Sequence, residues 1–238
     1  MLLIRKTSLA LVGAIGVALL SAQVVAQEKS IVVASTTSTQ DSGLFEYLLP
    51  IFQTKTGIAV KVIALGTGQV LDIGRRGDAD VVFVHPTFAG VRFLAEGHGV
   101  KRFPVMYNDF VLVGPKNDPA GIKGMNDVAE ALKTIRDKQA SFISRGDNSG
   151  THRAELALWN KDVGIDIEKD NGAWYESVHR GMGATLHMAA ARGGYILSDR
   201  GTWIHFKHKE GLEILVAGDK RLFNQYSVIL VNPDKHPM

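Results

Sequence analysis

Three times along this chain a short, mostly apolar run opens into a cluster of Ser, Thr and Gly and then into an amphipathic segment. The runs are residues 31–34, 58–65 and 140–143. The clusters after them are Ser35-Thr36-Thr37-Ser38-Thr39, Gly66-Thr67-Gly68-Gln69 and Ser144-Arg145-Gly146-Asp147-Asn148-Ser149-Gly150-Thr151. Apolar runs of this length, bounded by turn residues, predict strands inside a covered sheet. Further strands are predicted at 80–84, 110–113, 195–197, 212–216 and 226–231. Between them the 3.6-residue period predicts helices over 41–52, 69–76, 86–96, 149–161 and 182–192. In the first, Leu44, Leu48 and Ile51 form the stripe expected to be buried. Another helix is capped by Asn126 and carries Val128, Leu132 and Ile135 on one face. This alternation predicts an α/β fold with mostly parallel sheets. There is no repeat and no low-complexity linker, so a second domain would be joined by ordinary strands.

The N-terminal residues predict the compartment. Arg5 and Lys6 precede an apolar run over 9–20, and Val24-Val25-Ala26 fits a small-x-small cleavage site. The run is shorter than the ~20 residues that span a bilayer core. We therefore expect a secretory signal over 1–26, cut after Ala26, and a mature protein free in the periplasm. The chain has no cysteine. That excludes a disulfide framework, a thiol nucleophile, thiolate zinc sites and a lipidated cysteine. Without Arg5 and Lys6, the 27 Lys and Arg against 24 Asp and Glu come close to balance, and both signs are interspersed. Nucleic acid is a poor partner for such a surface.

The three clusters suggest the chemistry. A helix N-terminus presents unpaired backbone N–H groups and the positive end of a dipole. Hydroxyls add movable donors, and ligands of open α/β sheets bind beyond the carboxyl ends of the strands. Together these predict an anion receptor. Ordinary capping is the plainer reading, since Ser and Thr are common caps. Five consecutive hydroxyl residues, 35–39, are more than one cap requires. Arg145 adds a full charge and a planar fork suited to an oxyanion. Its plainer reading is an ion pair with Asp147 or a helix carboxylate. Asp41 and Asp147 look suited to capping loops.

Enzymatic motifs are weak. Gly-Asp-Asn-Ser-Gly has Asp147 where a nucleophile elbow needs glycine. His205 and His208 stand three apart beside Lys207 and Lys209, which reads as a solvated basic face rather than a metal site. Gly181-Met182-Gly183 lacks the third glycine of a dinucleotide fingerprint. Trp159, Trp174 and Trp203 read as packing residues. No catalytic residue, metal or cofactor is expected.

At its three turns the sequence resembles the substrate-binding proteins of tungstate ABC transporters. The motifs are Thr-Thr-Ser-Thr-Gln-Asp-Ser-Gly-Leu over 36–44, Gly-Thr-Gly-Gln over 66–69 and Asp-Ala-Asp-Val-Val-Phe-Val-His over 78–85. Met-Tyr-Asn-Asp-Phe-Val over 106–111, Ser-Arg-Gly-Asp-Asn-Ser-Gly-Thr-His over 144–152, Gly-Met-Gly-Ala-Thr-Leu over 181–186 and Ser-Asp-Arg-Gly-Thr over 198–202 complete the set. The resemblance implies a type II periplasmic binding protein fold, two α/β lobes joined by two crossing strands. Residues 27–107 plus 226–238 would form lobe 1 and residues 108–225 lobe 2. It implies a monomer that delivers its ion to a membrane permease and an ATPase. It places Arg145 on the anion's charge, with Thr37, Ser38, Thr67, Gly68, Ser149, Gly150 and Thr151 as the other ligand-binding residues. Gly183 and Thr185 are further candidates for the cleft wall. His179-Arg180 departs from the Gly-Gln expected there. Such proteins are also expected to continue past residue 238 with a helix on the first lobe.

The predicted turns offer donors and almost no acceptor, which suits a fully ionised oxyanion better than phosphate with its retained proton. Tungstate is the ion the resemblance implies; molybdate and sulfate remain open within the same fold. A secreted enzyme acting on a phosphate-bearing small molecule is the remaining alternative. It would need an acid or base such as His152, which is expected to face solvent from a first helical turn.

Overall fold

The computed structural model describes residues 29–85, 88–209 and 211–236. The predicted signal and its cleavage site lie outside the described residues. The chain begins with β1 (Ser30–Thr36), α1 (Thr37–Asp41) and α2 (Leu44–Thr56), then β2 (Ala59–Leu65), α3 (Thr67–Arg76), β3 (Val81–Val84) and α4 (Phe88–Ala95). A long strand, β4 (Gly99–Pro115), leads to α5 (Val128–Asp137), β5 (Phe142–Ser144), α6 (Gly150–Ala157), β6 (Tyr175–Ser177) and α7 (Met182–Arg192). Then come β7 (Ile196–Asp199), α8 (Arg200–His205), β8 (Leu212–Val216) and β9 (Phe223–Val231).

Seven strands make one sheet in the order β2-β1-β3-β9-β4-β7, with β8 also paired to β4; β5 and β6 form a separate parallel pair. Strand β4 changes partner along its length. Residues up to Asp109 pair with β9, and Phe110–Val113 pair with β7. The sheet thus has two halves that share β4. The apolar contacts separate the same way. One set gathers Ala34, Val70, Leu71, Val82, Phe93 and Ile229, with Phe45, Phe83 and Tyr226 on the opposite sheet face. The other gathers Leu112, Leu132, Ile135, Phe142 and Trp159, with Val111, Ile143, Met182, Leu186 and Trp203.

Local chemistry explains most boundaries. In α5 the apolar residues Val128, Leu132 and Ile135 recur at helical spacing and all three are buried. Its cap is Asp127, whose carboxylate accepts from the Ala129 and Glu130 amides, and not Asn126 as expected. The helix expected over 41–52 is α2, which begins only at Leu44 because Gly43 adopts a left-handed conformation (φ 76°) and turns the chain out of the short α1. The buried stripe expected on α2 is also only partly so: Phe45 is covered, but Leu48 and Ile51 remain 43% and 39% exposed. Beside α2 runs an entirely apolar groove of about 330 Å³ that includes Ile31, Phe52, Val81 and Val105.

The expectation of mostly parallel pairing does not hold. β1 runs parallel to β2 and β3, and β5 to β6, but every ladder made by β4 or β9 is antiparallel. Alternating strands and helices signal parallel units; strands that cross between two halves return in the opposite direction. Four elements also escape prediction, namely α1, β6, α8 and the first eleven residues of β4. The last of these is a mainly exposed stretch with a register shift beside Pro104, and it carries no apolar run to read.

Candidate functional site

The first turn divides its five hydroxyls between two tasks. The Ser35 hydroxyl donates to the Phe83 carbonyl at 2.8 Å, tying β1 to β3. Thr36 and Thr39 bond each other at 2.9 Å, and Thr36 caps the Thr39 amide. These three serve local structure, as ordinary capping requires. Thr37 and Ser38 do not. Their oxygens accept from the guanidinium of Arg145, Ser38 from Nη1 at 2.9 Å and Thr37 from Nη2 at 3.0 Å.

Arg145 therefore reaches from the end of β5 in one half to the start of α1 in the other. Only 1% of its surface is exposed. Asp147 accepts from its Nε and Nη2 at 3.1 and 2.5 Å, and the other oxygen of that carboxylate takes the Ser149 amide at 3.1 Å. Thr151 Oγ1 lies 3.5 Å from Nη1. The ion pair with Asp147 is real, but it is buried and accompanied by three hydroxyls rather than lying on the surface. Asp147 caps its loop as expected and also holds the guanidinium in place. The loop itself needs Gly146 at φ 59°, where a Cβ would lie 2.7 Å from Ser177 Cβ.

The second and third turns meet across the same seam. The Gly150 amide, in the first turn of α6, donates to Thr67 Oγ1 at 2.9 Å. Thr67, at the start of α3, is fully buried. Ser149 caps α6 by accepting from the His152 amide at 3.2 Å. Gly68 sits beside Thr67 with Arg153 Nη2 4.0 Å from where its Cβ would be. Seven of the eight residues predicted from sequence thus lie on the helix starts of α1, α3 and α6, and the eighth, Arg145, reaches them from the end of β5. Gly183 gives its amide to Asp41 Oδ2 at 3.0 Å, and Thr185 Oγ1 donates to the Gly181 carbonyl at 2.9 Å, so Asp41 caps the far half's α7 rather than its own loop. Arg180 is exposed; its amide donates to the Arg145 carbonyl at 3.2 Å.

These contacts make a site rich in donors. A hydroxyl that accepts from a guanidinium keeps its own proton to give, and the charge-assisted bond polarises that O–H. Thr37, Ser38 and Thr151 are all in this position. Both oxygens of Asp147 are already engaged, which leaves few acceptors. The arrangement suits a compact anion carrying no proton.

Several neighbours were not singled out by sequence. His85 ends β3, is 3% exposed, and donates from Nδ1 to Asn224 Oδ1 at 2.7 Å. Its ring lies 4.2 Å from that of Tyr226 and packs against Gly150, where a Cβ would approach it to 3.1 Å. Burial, above all, lowers its pKa to about 4, so it is neutral near pH 7. A polar residue at the carboxyl end of a solidly apolar strand was the available signal. The Thr202 hydroxyl donates to the Ser38 carbonyl at 3.1 Å, adding α8 to the seam. His152, expected to face solvent, is 5% exposed because its Nδ1 accepts the Asn148 amide at 3.0 Å. Burial lowers its pKa, and its Nε2 has no partner among the described residues. His205, Lys207 and His208 are exposed, as a solvated basic face requires, although the His205 ring also lies over Gly43. Trp159, Trp174 and Trp203 are buried packing residues.

A family profile described as the PBP superfamily domain matches residues 21–238. The chain is 54% identical over 209 residues to the tungstate-binding protein TupA of Peptoclostridium acidaminophilum, covering 87% of this chain and 72% of that protein. Among solved structures it resembles the tungstate ABC transporter from Geobacter sulfurreducens, with a TM-score of 0.80 and 52% identity over 88% of each chain. It also resembles the tungstate-binding protein TupA from Desulfovibrio alaskensis G20, with a TM-score of 0.73 and 46% identity over 88% of this chain and 84% of that one.

Proposed function

The chain belongs to the PBP superfamily, within its family of tungstate-binding proteins, and from that premise we propose that it captures tungstate in the cleft around Arg145. The observation that carries this reading is the buried Arg145 guanidinium, bonded to Thr37 and Ser38 of the opposite half and to Asp147 beside it. The anion would meet Arg145 and the hydroxyl protons of Thr37, Ser38 and Thr151, with Thr67, Gly68, Ser149 and Gly150 completing the wall. Residues 27–107 plus 226–238 would form one lobe and 108–225 the other; the change of partner on β4 between Asp109 and Phe110 supports that division. Closure would be a hinge motion about β4 and β9. The protein would act as a monomer in the periplasm after cleavage behind Ala26, and would deliver its ion to a membrane permease driven by an ATPase. It would carry no cofactor and catalyse no reaction. His152, the residue an enzyme reading would need, has its Nδ1 lone pair occupied by a backbone amide.

A thermal-shift series with tungstate, molybdate, sulfate and phosphate tests the proposal. At about a thousand times its Kd, a ligand that binds only the folded state adds about 4 kcal/mol. For a chain of this size that raises the Tm by roughly 10 °C. Tungstate should give the largest rise and phosphate the smallest, because the site holds few acceptors for phosphate's proton. A flat response to all four anions would remove the proposal. A larger response to molybdate or sulfate would keep the site and change its ion.

A further inference from the structure

Arg153 sits in the second turn of α6 and reaches towards the start of α3 in the opposite half. Its Nε donates to Asn148 Oδ1 at 3.0 Å, and Nη2 lies 4.0 Å from the position a Cβ would take on Gly68. It lines two cavities, one with Gly68, Leu71 and Asn148 and the other with His85, Gly150 and Asn224. Its surroundings set it apart from the other arginines of those walls. Arg75 and Arg92 pair with Asp72 and Glu96, and Arg221 pairs with Asp219, Asp127 and Asp162. Arg145 pairs with Asp147. Among the described residues, no carboxylate pairs with Arg153; its side-chain partner is a neutral amide oxygen.

An unpaired guanidinium in this place has a particular consequence. The N-termini of α3 and α6 converge on the same seam, and both carry positive partial charge. With its own cation neutralised by Asp147, the Arg145 loop adds little net charge. Arg153 is then a full positive charge at the seam with which no acid pairs among the described residues, and it faces a helix start of the other half. Bringing the halves together raises the repulsion between Arg153 and the α3 N-terminus. An anion between them relieves it, and a dianion relieves it more than a monoanion of the same shape.

We propose that Arg153 is a specificity-determining residue that makes binding depend on the charge of the anion, favouring dianions over monoanions of equal size. The inference rests on the cleft being the oxyanion site proposed above. It does not require Arg153 to touch the ion, since half-buried charges a few ångströms apart interact through a weakly screening medium. Its position on the rim also means that the ion's direct ligands stay in place when it is replaced.

Tungstate and perrhenate form the test, because both are tetrahedral oxyanions of closely similar size, with charges of −2 and −1. Titration calorimetry on the full chain gives a Kd for each, and the ratio of the two is the readout. Arg153→Gln should reduce the preference for tungstate by about five- to tenfold, mostly through weaker tungstate binding, while Arg153→Lys should keep it. Arg92→Gln, which removes a cation already paired with Glu96, should leave the ratio unchanged. A ratio in Arg153→Gln within twofold of the wild type overturns the inference. So does an equal weakening of both anions, which would mark Arg153 as structural. Wild-type protein that binds neither anion would overturn the oxyanion site itself, a result distinct from an unchanged ratio in a protein that binds tungstate.

Discussion

Arg145→Ala is expected to weaken tungstate binding by a factor of about a hundred or more. Removing one partner of a buried, hydrogen-bonded charge pair at a binding site typically costs about 2–5 kcal/mol, and a hundredfold is about 2.7 kcal/mol. Three effects add here. The anion loses the guanidinium that organises the site. Thr37 and Ser38 lose the donor that fixes their oxygens and polarises their protons. Asp147, left without its guanidinium, presents an uncompensated carboxylate 17% exposed at the cleft, and like charge repels the incoming ion. The third effect separates this account from simple loss of a contact. Arg145→Ala combined with Asp147→Asn should bind tungstate better than Arg145→Ala alone, though still far below the wild type. Titration calorimetry on both variants checks this. An unchanged Kd in the single variant would take Arg145 out of the site.

Glu155→Gln should make the protein more stable above pH 7 and flatten its pH dependence. Glu155 lies one helical turn after Thr151, is 2% exposed, and accepts from the Tyr175 hydroxyl at 2.6 Å. Burial raises its pKa to about 8, against hydrogen bonds from Tyr175, Ser144 and Trp159 that lower it. The folded state therefore holds a proton that the unfolded chain, with a pKa near the usual 4.5, has released. Such a group's contribution is fully present below about pH 4.5 and is lost as pH rises through about 8. At about 1.36 kcal/mol per pH unit, the wild type should lose about 2 kcal/mol between pH 6.5 and pH 8.5 from this group alone. His85 and His152 act in the opposite direction, because their lowered pKa values make stability fall as pH drops below about 6.5. Asp199, fully buried with its pKa also raised by burial, acts in the same direction as Glu155, so the difference between wild type and Glu155→Gln over 6.5 to 8.5 is what isolates Glu155. Glutamine can still accept from Tyr175 and has no proton to lose. Urea denaturation at both pH values should show a loss over the interval that is smaller by about 2 kcal/mol in the variant than in the wild type; equal slopes would place Glu155 in a solvated, ionised state.

Much of this was legible in the chain because the physics is local. The apolar runs over 31–34, 58–65 and 140–143 became β1, β2 and β5, and their Ser, Thr and Gly endings sit where strands pass into helices. Helix α7 begins and ends where its glycines and its period place it. What escaped is what depends on two distant segments meeting. The first part of β4 is a strand because β9 pairs with it, and its side chains alternate between solvent and a partly covered face, leaving no run to detect. The exposure of Leu48 and Ile51 depends on what covers that face of the sheet, which the period of α2 does not encode. In the candidate site the sequence pointed to Thr37, Ser38 and Arg145, since hydroxyls and a guanidinium are visible as residue types. It did not show that Ser35, Thr36 and Thr39 serve the fold while their neighbours face Arg145. That division follows from which side of a five-residue helix meets the other half. His152 and Arg153 illustrate the same limit. They are adjacent in sequence, yet one is folded back on its own loop and the other spans the seam.

The most direct measurement is the position of tungsten in a crystal of the protein grown with tungstate, located by anomalous scattering at a tungsten absorption edge. The account predicts one strong peak in the seam, within hydrogen-bonding reach, through its oxygens, of the Arg145 guanidinium and of hydroxyls from Thr37, Ser38 and Thr151. A peak elsewhere with the Arg145 cluster unchanged, or no peak from protein that folds and crystallises with saturating tungstate, would contradict it.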